Sequence, residues 1–271
     1  MSQISAKIIE DSISLDGARL VTMQLKFHRF ILSEFNTHRM FSRNASSSRA
    51  IPTHKLIEQV RNNPMMPVHW GANQTGMQAS EEIKNHADFG QGEYQWRGAA
   101  MEMANRAETM LQQGYHKQIV NRLLEPFLPI HVIVTATEWD NFFSLRIHPD
   151  AQPEINELAT KMKMAIDNST PKLLKTTYDW HLPYVTNEER KYKLDNKTLA
   201  KISAARCARV SYLTHNGENP SMEKDLALYD RLVGSKPIHA SPVEHQAYPL
   251  SSKYELCRNF RGWKQFRSLI D

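Results

Sequence analysis

The sequence predicts one α/β domain of the α+β type spanning residues 1–271. Three observations carry that expectation. A hairpin signal opens the chain, one segment alternates with period two, and several later segments carry apolar residues at helical spacing. A length of 271 residues suits a single large domain. With 41% hydrophobic and 23% charged residues, the chain can bury a core. No apolar run approaches the about 20 residues that span a bilayer. The start, Met1-Ser-Gln-Ile-Ser-Ala-Lys, lacks the apolar stretch of a signal peptide. Cys207 and Cys257 are the only cysteines and have no C-x-x-C spacing, which excludes a disulfide framework and a cysteine-rich zinc site. A cytoplasmic location is the expectation.

Taken in order, residues 12–15 form a short strand candidate and Asp16-Gly17 the hairpin turn. Val21, Met23, Leu25 and Phe27 then alternate with Thr22, Gln24, Lys26 and His28, which predicts a half-buried strand. Residues 30–35 can open a helix. Residues 37–49 are polar and cation-rich without a period. Residues 61–92 hold several Pro, Gly and Asn and predict a long irregular excursion. Residues 96–111 have helical spacing and Gly114 can stop that helix. Residues 116–124 suggest another helix ended by Glu125-Pro126, and residues 130–134 a strand. Ile155, Leu158, Ala159, Met162, Ala165 and Ile166 define one apolar helix face. Residues 167–196 are polar and irregular. Residues 199–212 are mixed, Asn219-Pro220 is a helix start for 223–233, and residues 235–249 are loop-like. The tail, 254–269, is rich in Arg, Lys and aromatics.

The formal charge of +5 suits an anionic partner, either a phosphorylated small molecule or nucleic acid. Residues 38–49 pack Arg39, Arg43 and Arg49 with Ser42, Ser46, Ser47 and Ser48. Forked guanidinium donors beside clustered hydroxyls suit a phosphate. A solvated loop is the bland reading of the same residues. Arg122 and Arg146, taken singly, are surface or packing arginines. His239-Ala-Ser-Pro-Val-Glu-His245 has no zinc spacing and better fits a polar ligand loop, so no metal site is predicted. Neither cysteine has the context of a nucleophile, and no G-x-S-x-G or glycine-rich phosphate loop is present.

Four segments together resemble the flavin-dependent thymidylate synthases (ThyX). Thr37-His-Arg, followed at its fixed spacing by Ser47 and Arg49, resembles the family signature. Asn141-Phe-Phe-Ser-Leu-Arg146, running on to Ala151-Gln-Pro-Glu-Ile155, resembles a second family segment. Ala208-Arg-Val-Ser-Tyr212 and His239-Ala-Ser-Pro-Val-Glu-His245 resemble two more. In the family those last two come first, so the chain is similar to a circularly permuted, divergent member. Residues 167–196 would then join the old termini. Asn259-Phe-Arg261-Gly-Trp263 resembles a flavin-contacting segment that in the family precedes the arginine matching Arg146, where this chain has Thr135-Ala-Thr137.

The resemblance implies a mainly antiparallel sheet flanked by helices, and methylation of dUMP to dTMP. Methylenetetrahydrofolate would give the carbon and NADPH would reduce FAD. It implies Arg146 and Ser47 as catalytic residues, with Ser47, Arg49, Arg122, Arg146 and Gln118 binding the nucleotide. His38, Arg39, Asn141, His239, Ser241, Glu244, Asn259 and Arg261 would surround the flavin. A homotetramer with sites at subunit interfaces is implied. Thr37, Glu34, Ala45 and Ala50 depart from the family pattern. They leave room for a hydroxymethyl product or for another pyrimidine nucleotide such as dCMP. The rival from another class is a nucleic-acid-binding surface formed by residues 37–49 and the tail.

Overall fold

The structure, a computed structural model, describes residues 3–83, 86–192, 194–210 and 221–270. β1 (Ser5–Ser14) and β2 (Arg19–His28) form the expected hairpin. Its turn places Gly17 at φ +81°, a conformation that side chains disfavour, and the Gly17 N–H donates to the Ser14 carbonyl at 3.0 Å. β1 begins seven residues before the predicted strand because β2 offers a partner along its whole length, with one irregularity between Ile8 and Glu10. β4 (Pro129–Ala136) pairs antiparallel with β2, and β3 (Ser42–Ala45) pairs antiparallel with β4. β5 (Lys172–Leu174) adds in parallel to β1, giving the order β3-β4-β2-β1-β5. The mainly antiparallel sheet expected from sequence is present.

The two faces of this sheet differ. Val21, Met23, Leu25 and Phe27 lie opposite Ala136, Val134, Val132 and Ile130 and are buried. They pack against α5 (Asp140–Arg146), α6 (Pro153–Asp167) and the rings of Phe35, Phe41, Trp139 and Phe142. Each such side chain contributes about 1.5–3 kcal/mol by leaving water.

The other face is polar at its centre. Thr22 and Thr135 are cross-strand partners with their hydroxyls 2.7 Å apart. His181 bridges Ser12 at 2.9 Å and Thr22 at 2.8 Å, and His245 Nδ1 reaches Thr135 at 2.8 Å. All five side chains are fully buried. This seam fastens the loops around residues 181 and 245 to the sheet. Burial holds both imidazoles neutral, pushing His181 well below its ordinary pKa and His245 down to about 3.

α2 (Thr53–Asn62), α3 (His86–Gln112), α4 (Lys117–Val120) and a 3-10 turn over Asn121–Phe127 form a helical flank with its own core. Residues 116–124 are therefore a short helix running into a 3-10 turn rather than one helix, and Pro126 lies within that turn. α3 starts ten residues before the predicted 96, so the excursion after α2 is shorter than expected. α7 (Asn196–Ala208) replaces the mixed reading of 199–212. It buries Leu199, Ala200, Ile202, Ser203, Ala204 and Cys207 around nearly its whole circumference, so no single apolar face marks it in sequence. Ser211, Tyr212, Asn219 and Pro220 lie outside the described residues; α8 (Met222–Val233) is capped by Ser221, whose Oγ accepts the Lys224 N–H. The tail forms short strands, and the end of the loop-like 235–249 segment joins one of them. β7 (Leu256–Cys257) pairs with β8 (Phe260–Arg261), and β9 (Trp263–Gln265) pairs with β6 (Ala247–Pro249).

Two predictions follow from burial. Asp225 on α8 is fully buried and receives Arg206 of α7 and Arg209, which caps the C-terminal end of that helix, each with a contact of 2.8 Å. Asp225→Ala leaves Arg209 without its counter-charge and Arg206 with Glu189 alone, and should destabilise the fold by about 3 kcal/mol, measured by urea unfolding. His245 is neutral when folded, with a pKa near 3 against an ordinary 6.5. Its contribution to stability is complete above about pH 6.5 and is lost as pH falls towards 3, because only the unfolded state takes up the proton. His245→Gln should flatten that part of the acid limb relative to wild type in pH-dependent denaturation.

Candidate active site

The short helix α1 (Leu32–Phe35) delivers Glu34, Thr37 and His38 to one corner. Arg43 Nη1 donates to the carbonyls of Asn36 at 2.8 Å, His38 at 3.1 Å and Phe35 at 3.4 Å. This closes the C-terminal end of α1 and fixes the chain at His38. The His38 ring lies 5.8 Å from Phe41 and 4.8 Å, edge-on, from Phe142. Arg146, in the last turn of α5, completes the corner. Its Nε donates to His38 Nε2 at 3.0 Å, its Nη1 to the Glu34 carboxylate, and its Nη2 lies 3.5 Å from Thr37 Oγ1. Because Nε always carries a hydrogen, His38 Nε2 is the acceptor and the imidazole is neutral. Burial, then the positive charges of Arg146 and Arg43, lower the His38 pKa.

β3 carries the middle of the site. Ser42 and Asn44 point to the buried side and serve as anchors. Asn259 Nδ2 donates to Ser42 Oγ at 3.0 Å and to the Met40 carbonyl at 3.1 Å. Ser241 Oγ donates to Asn44 Oδ1 at 3.1 Å, and Asn44 Nδ2 donates to the Cys207 carbonyl at 2.7 Å. Gln265 Nε2 lies 2.9 Å from Asn259 Oδ1 and 3.1 Å from both Ser42 Oγ and the Glu244 carbonyl. The Arg261 N–H donates to Thr137 Oγ1 at 3.1 Å while its guanidinium pairs with Glu138. The tail thus meets the sheet at residues 137–138, beside the Thr135-Ala-Thr137 segment singled out in the sequence. Glu244 pairs with Arg267. Gln265 and Asn44 were not among the candidates. Amides that bridge distant segments have no spacing signature.

Beyond β3 lies a second polar group. Ser46 Oγ accepts the His131 N–H, and Ser48 Oγ donates to Glu125 at 2.6 Å. Glu125 also pairs with Arg122 at 2.7 Å and lies 3.7 Å from Arg29. Of the four serines, only Ser47 makes no side-chain hydrogen bond among the described residues. Arg49, Arg122 and Gln118 are exposed. Arg43, one of the three clustered arginines, spends its Nη1 on backbone carbonyls of its own chain.

The predicted residues therefore fall into three groups strung along β3. His38 and Arg146 stand before it. Ser241, Glu244, Asn259 and Arg261 are gathered at its side, and Ser47, Arg49, Arg122 and Gln118 stand after it. The four strand residues alone separate the first and last groups by roughly 10 Å. Arg39, Asn141 and His239 are exposed, and their side chains make no hydrogen bond or ion pair among the described residues. Among the described residues, no group of three or more His, Cys, Asp or Glu could hold a metal ion, and no helix is long and apolar enough to cross a membrane.

No curated protein sequence matches the chain. Among solved structures, the UMP/dUMP methylase PolB from Streptomyces cacaoi bound with 5-Br UMP is similar, with a TM-score of 0.50 and 18% identity. The likeness covers 61% of this chain and 89% of that one, and it shows a shared fold. Thymidylate Synthase X (ThyX) from Helicobacter pylori with FAD and dUMP matches with a TM-score of 0.40 and 15% identity, over 54% of this chain and 67% of that one. The family described as thymidylate synthase complementing protein matches residues 19–172, more than half of the chain. That span takes in α1, β3 and the Arg146 corner, and the chain belongs to this family, the ThyX enzymes.

Proposed function

We propose that the protein is a FAD-dependent enzyme that transfers a one-carbon unit from methylenetetrahydrofolate to C5 of a pyrimidine nucleotide, with NADPH as reductant. Conversion of dUMP to dTMP is the reaction on which this reading is built. The observation that carries it is the Arg146 corner. A permanently charged guanidinium is held on two sides by His38 and Glu34, and its side chain is 18% exposed. Such a fixed, half-buried cation stabilises negative charge that develops on a pyrimidine carbonyl as C5 becomes nucleophilic. Neutral His38 orients Arg146 without adding a competing charge.

The donor set suits a flavin. Arg39, Asn141 and His239 present unoccupied polar groups, and Ser241, Glu244, Asn259 and Arg261 are held close to the same strand. These residues, with His38, would hold FAD. Bound FAD would supply the hydride, and the protein supplies orientation and charge. Ser47, Arg49, Arg122 and Gln118 would hold the nucleotide phosphate and sugar, with Arg122 exchanging its Glu125 contact for the phosphate. The roughly 10 Å of β3 between this group and Arg146 favours sites shared between subunits, so that Ser47 and Arg49 of one chain serve the Arg146 of another. A homotetramer is the assembly proposed. The segment order is best explained by circular permutation, because residues 241–265 return to β3 although they follow it by some 200 positions. The fully buried Cys207, whose thiol burial pushes above its usual range, is unsuited to attack a pyrimidine.

The direct test is anaerobic incubation of the flavin-loaded protein with NADPH, methylenetetrahydrofolate and dUMP, followed by mass analysis of the nucleotide. A gain of one methyl group is expected; an unchanged nucleotide with every component present rejects the reading. Arg146→Ala should lower turnover by a hundred-fold or more while flavin absorbance is retained. Truncating the tail would remove the buried Phe260, Trp263 and Phe266 and unfold the chain, so single substitutions test its role better. Arg261→Ala should reduce bound flavin with little change in melting temperature, since the Arg261–Glu138 pair is largely exposed.

A further inference from the structure

The phosphate side of the site contains a carboxylate of its own, Glu125. Its Oε1 accepts the Ser48 hydroxyl at 2.6 Å and Arg122 Nη1 at 2.7 Å, and it lies 3.7 Å from Arg29 Nη1. Two guanidinium groups and a hydroxyl converging on one anionic oxygen are the donor set that a phosphate oxygen recruits. Here the anion belongs to the chain itself. Ser48 stands between Ser47 and Arg49 in sequence, so the contact falls within the segment assigned to the nucleotide phosphate.

The three donors are not equally committed. Ser48 is buried, and its turn is fastened by Asn121, whose Nδ2 donates to the carbonyls of Ser48 at 2.8 Å and Ile51 at 3.1 Å. The Arg29 side chain is 13% exposed, and its Nη2 donates to the Ser46 carbonyl at 3.2 Å. Burial lowers the Arg29 pKa, the Glu125 charge raises it and the Arg122 charge lowers it, so all three charges act on one another. Arg122 differs from the other two. Its side chain is 54% exposed, and it is joined to Glu125 three residues on. An ion pair so open to water holds its arginine weakly, and the guanidinium is free to turn to a ligand. When it turns, Ser48 and Arg29 still satisfy the carboxylate. The cradle thus has a fixed half and a releasable half.

From this geometry we propose that Glu125 is a built-in competitor for Arg122, which parks the guanidinium in the empty site and so sets how tightly the nucleotide phosphate is held. The inference rests on the proposed function, because it takes Ser47, Arg49 and Arg122 to hold the phosphate, and it adds the residue that opposes them. A phosphate must draw Arg122 away from a carboxylate and then lies near the negative charge that remains, so Glu125 weakens its binding. A nucleoside without a phosphate makes no demand on Arg122, and its binding is independent of Glu125. Glu125→Gln keeps the size of the side chain and an acceptor for Ser48 but removes the charge. Arg122 is then released to the ligand, and Arg29 adds a positive charge no longer offset within the chain.

The test is equilibrium binding of dUMP, deoxyuridine and inorganic phosphate to the flavin-loaded wild type and to Glu125→Gln, with circular dichroism and melting temperature recorded for both. Glu125→Gln is expected to bind dUMP and inorganic phosphate about five-fold or more tightly than wild type does, and deoxyuridine equally. The gain should shrink as salt is raised, because it comes from charge. If Glu125→Gln proves unstable, Glu125→Asp serves instead; it keeps the charge, draws it back from Arg122, and should give a smaller gain in the same direction. An unchanged dUMP affinity in the folded variant overturns the proposal. A lowered one also overturns it, and makes Glu125 a support that aims Arg122 at the phosphate. Both results leave the pyrimidine-nucleotide reading standing, since wild type still binds dUMP. Failure of folded, flavin-loaded wild type to bind dUMP removes both.

Discussion

The structure depends on how one short edge strand is completed. β3 lies at the end of the main sheet, bonded to β4 on one side only. Its inward side chains, Ser42 and Asn44, are polar and buried, and without partners they would cost more than the strand's backbone pairing returns. The partners come from far along the chain: Asn259 and Gln265 for Ser42, Ser241 and the end of α7 for Asn44. Satisfying four residues of strand thus draws the last third of the molecule onto the first. The candidate site forms where they meet.

A second polar seam supports the first. Thr22, Thr135, His181, His245 and Ser12 form a continuous chain of hydrogen bonds beneath the same loops. Apolar side chains there would pack with less directional preference. The hydroxyls and neutral imidazoles fix how the loops around residues 181 and 245 lie on the sheet, because each group has few acceptable partner positions. His245 immediately follows Glu244, so the position of this flavin-facing candidate is set partly from below.

Charge is distributed by task. Arg43, Arg206, Arg209, Arg261 and Arg267 are paired or hydrogen-bonded within the fold. Arg39 and Arg49 project without ion pairs among the described residues. Within the basic tail, Arg261 and Arg267 face carboxylates of their own chain. Arg146 stands between these classes. It is held firmly enough to be oriented, yet its fork remains partly open, which is the condition for a cation that acts on a bound base.

Local chemistry encodes part of this fold. The 16–17 turn, the alternating β2 strand, the apolar face of α6 and the arginine and histidine motifs follow from spacing between neighbours, and the structure has the turn and those elements there. Other features were decided only by tertiary contact. α7 is buried on nearly all sides, so its helical period carries no contrast to read. β7, β8 and β9 are only two or three residues long, too short for a period; β7 and β8 pair with each other and β9 pairs with β6. Arg43 has the composition of a phosphate ligand, but its Nη1 meets the carbonyls of Phe35, Asn36 and His38. Gln265 became a central bridge through partners 21 and 223 positions away. The reason is common to all of these. A side chain's role depends on which unsatisfied groups lie within about 3 Å of it, and for polar residues brought together from distant segments that neighbourhood exists only in the folded chain.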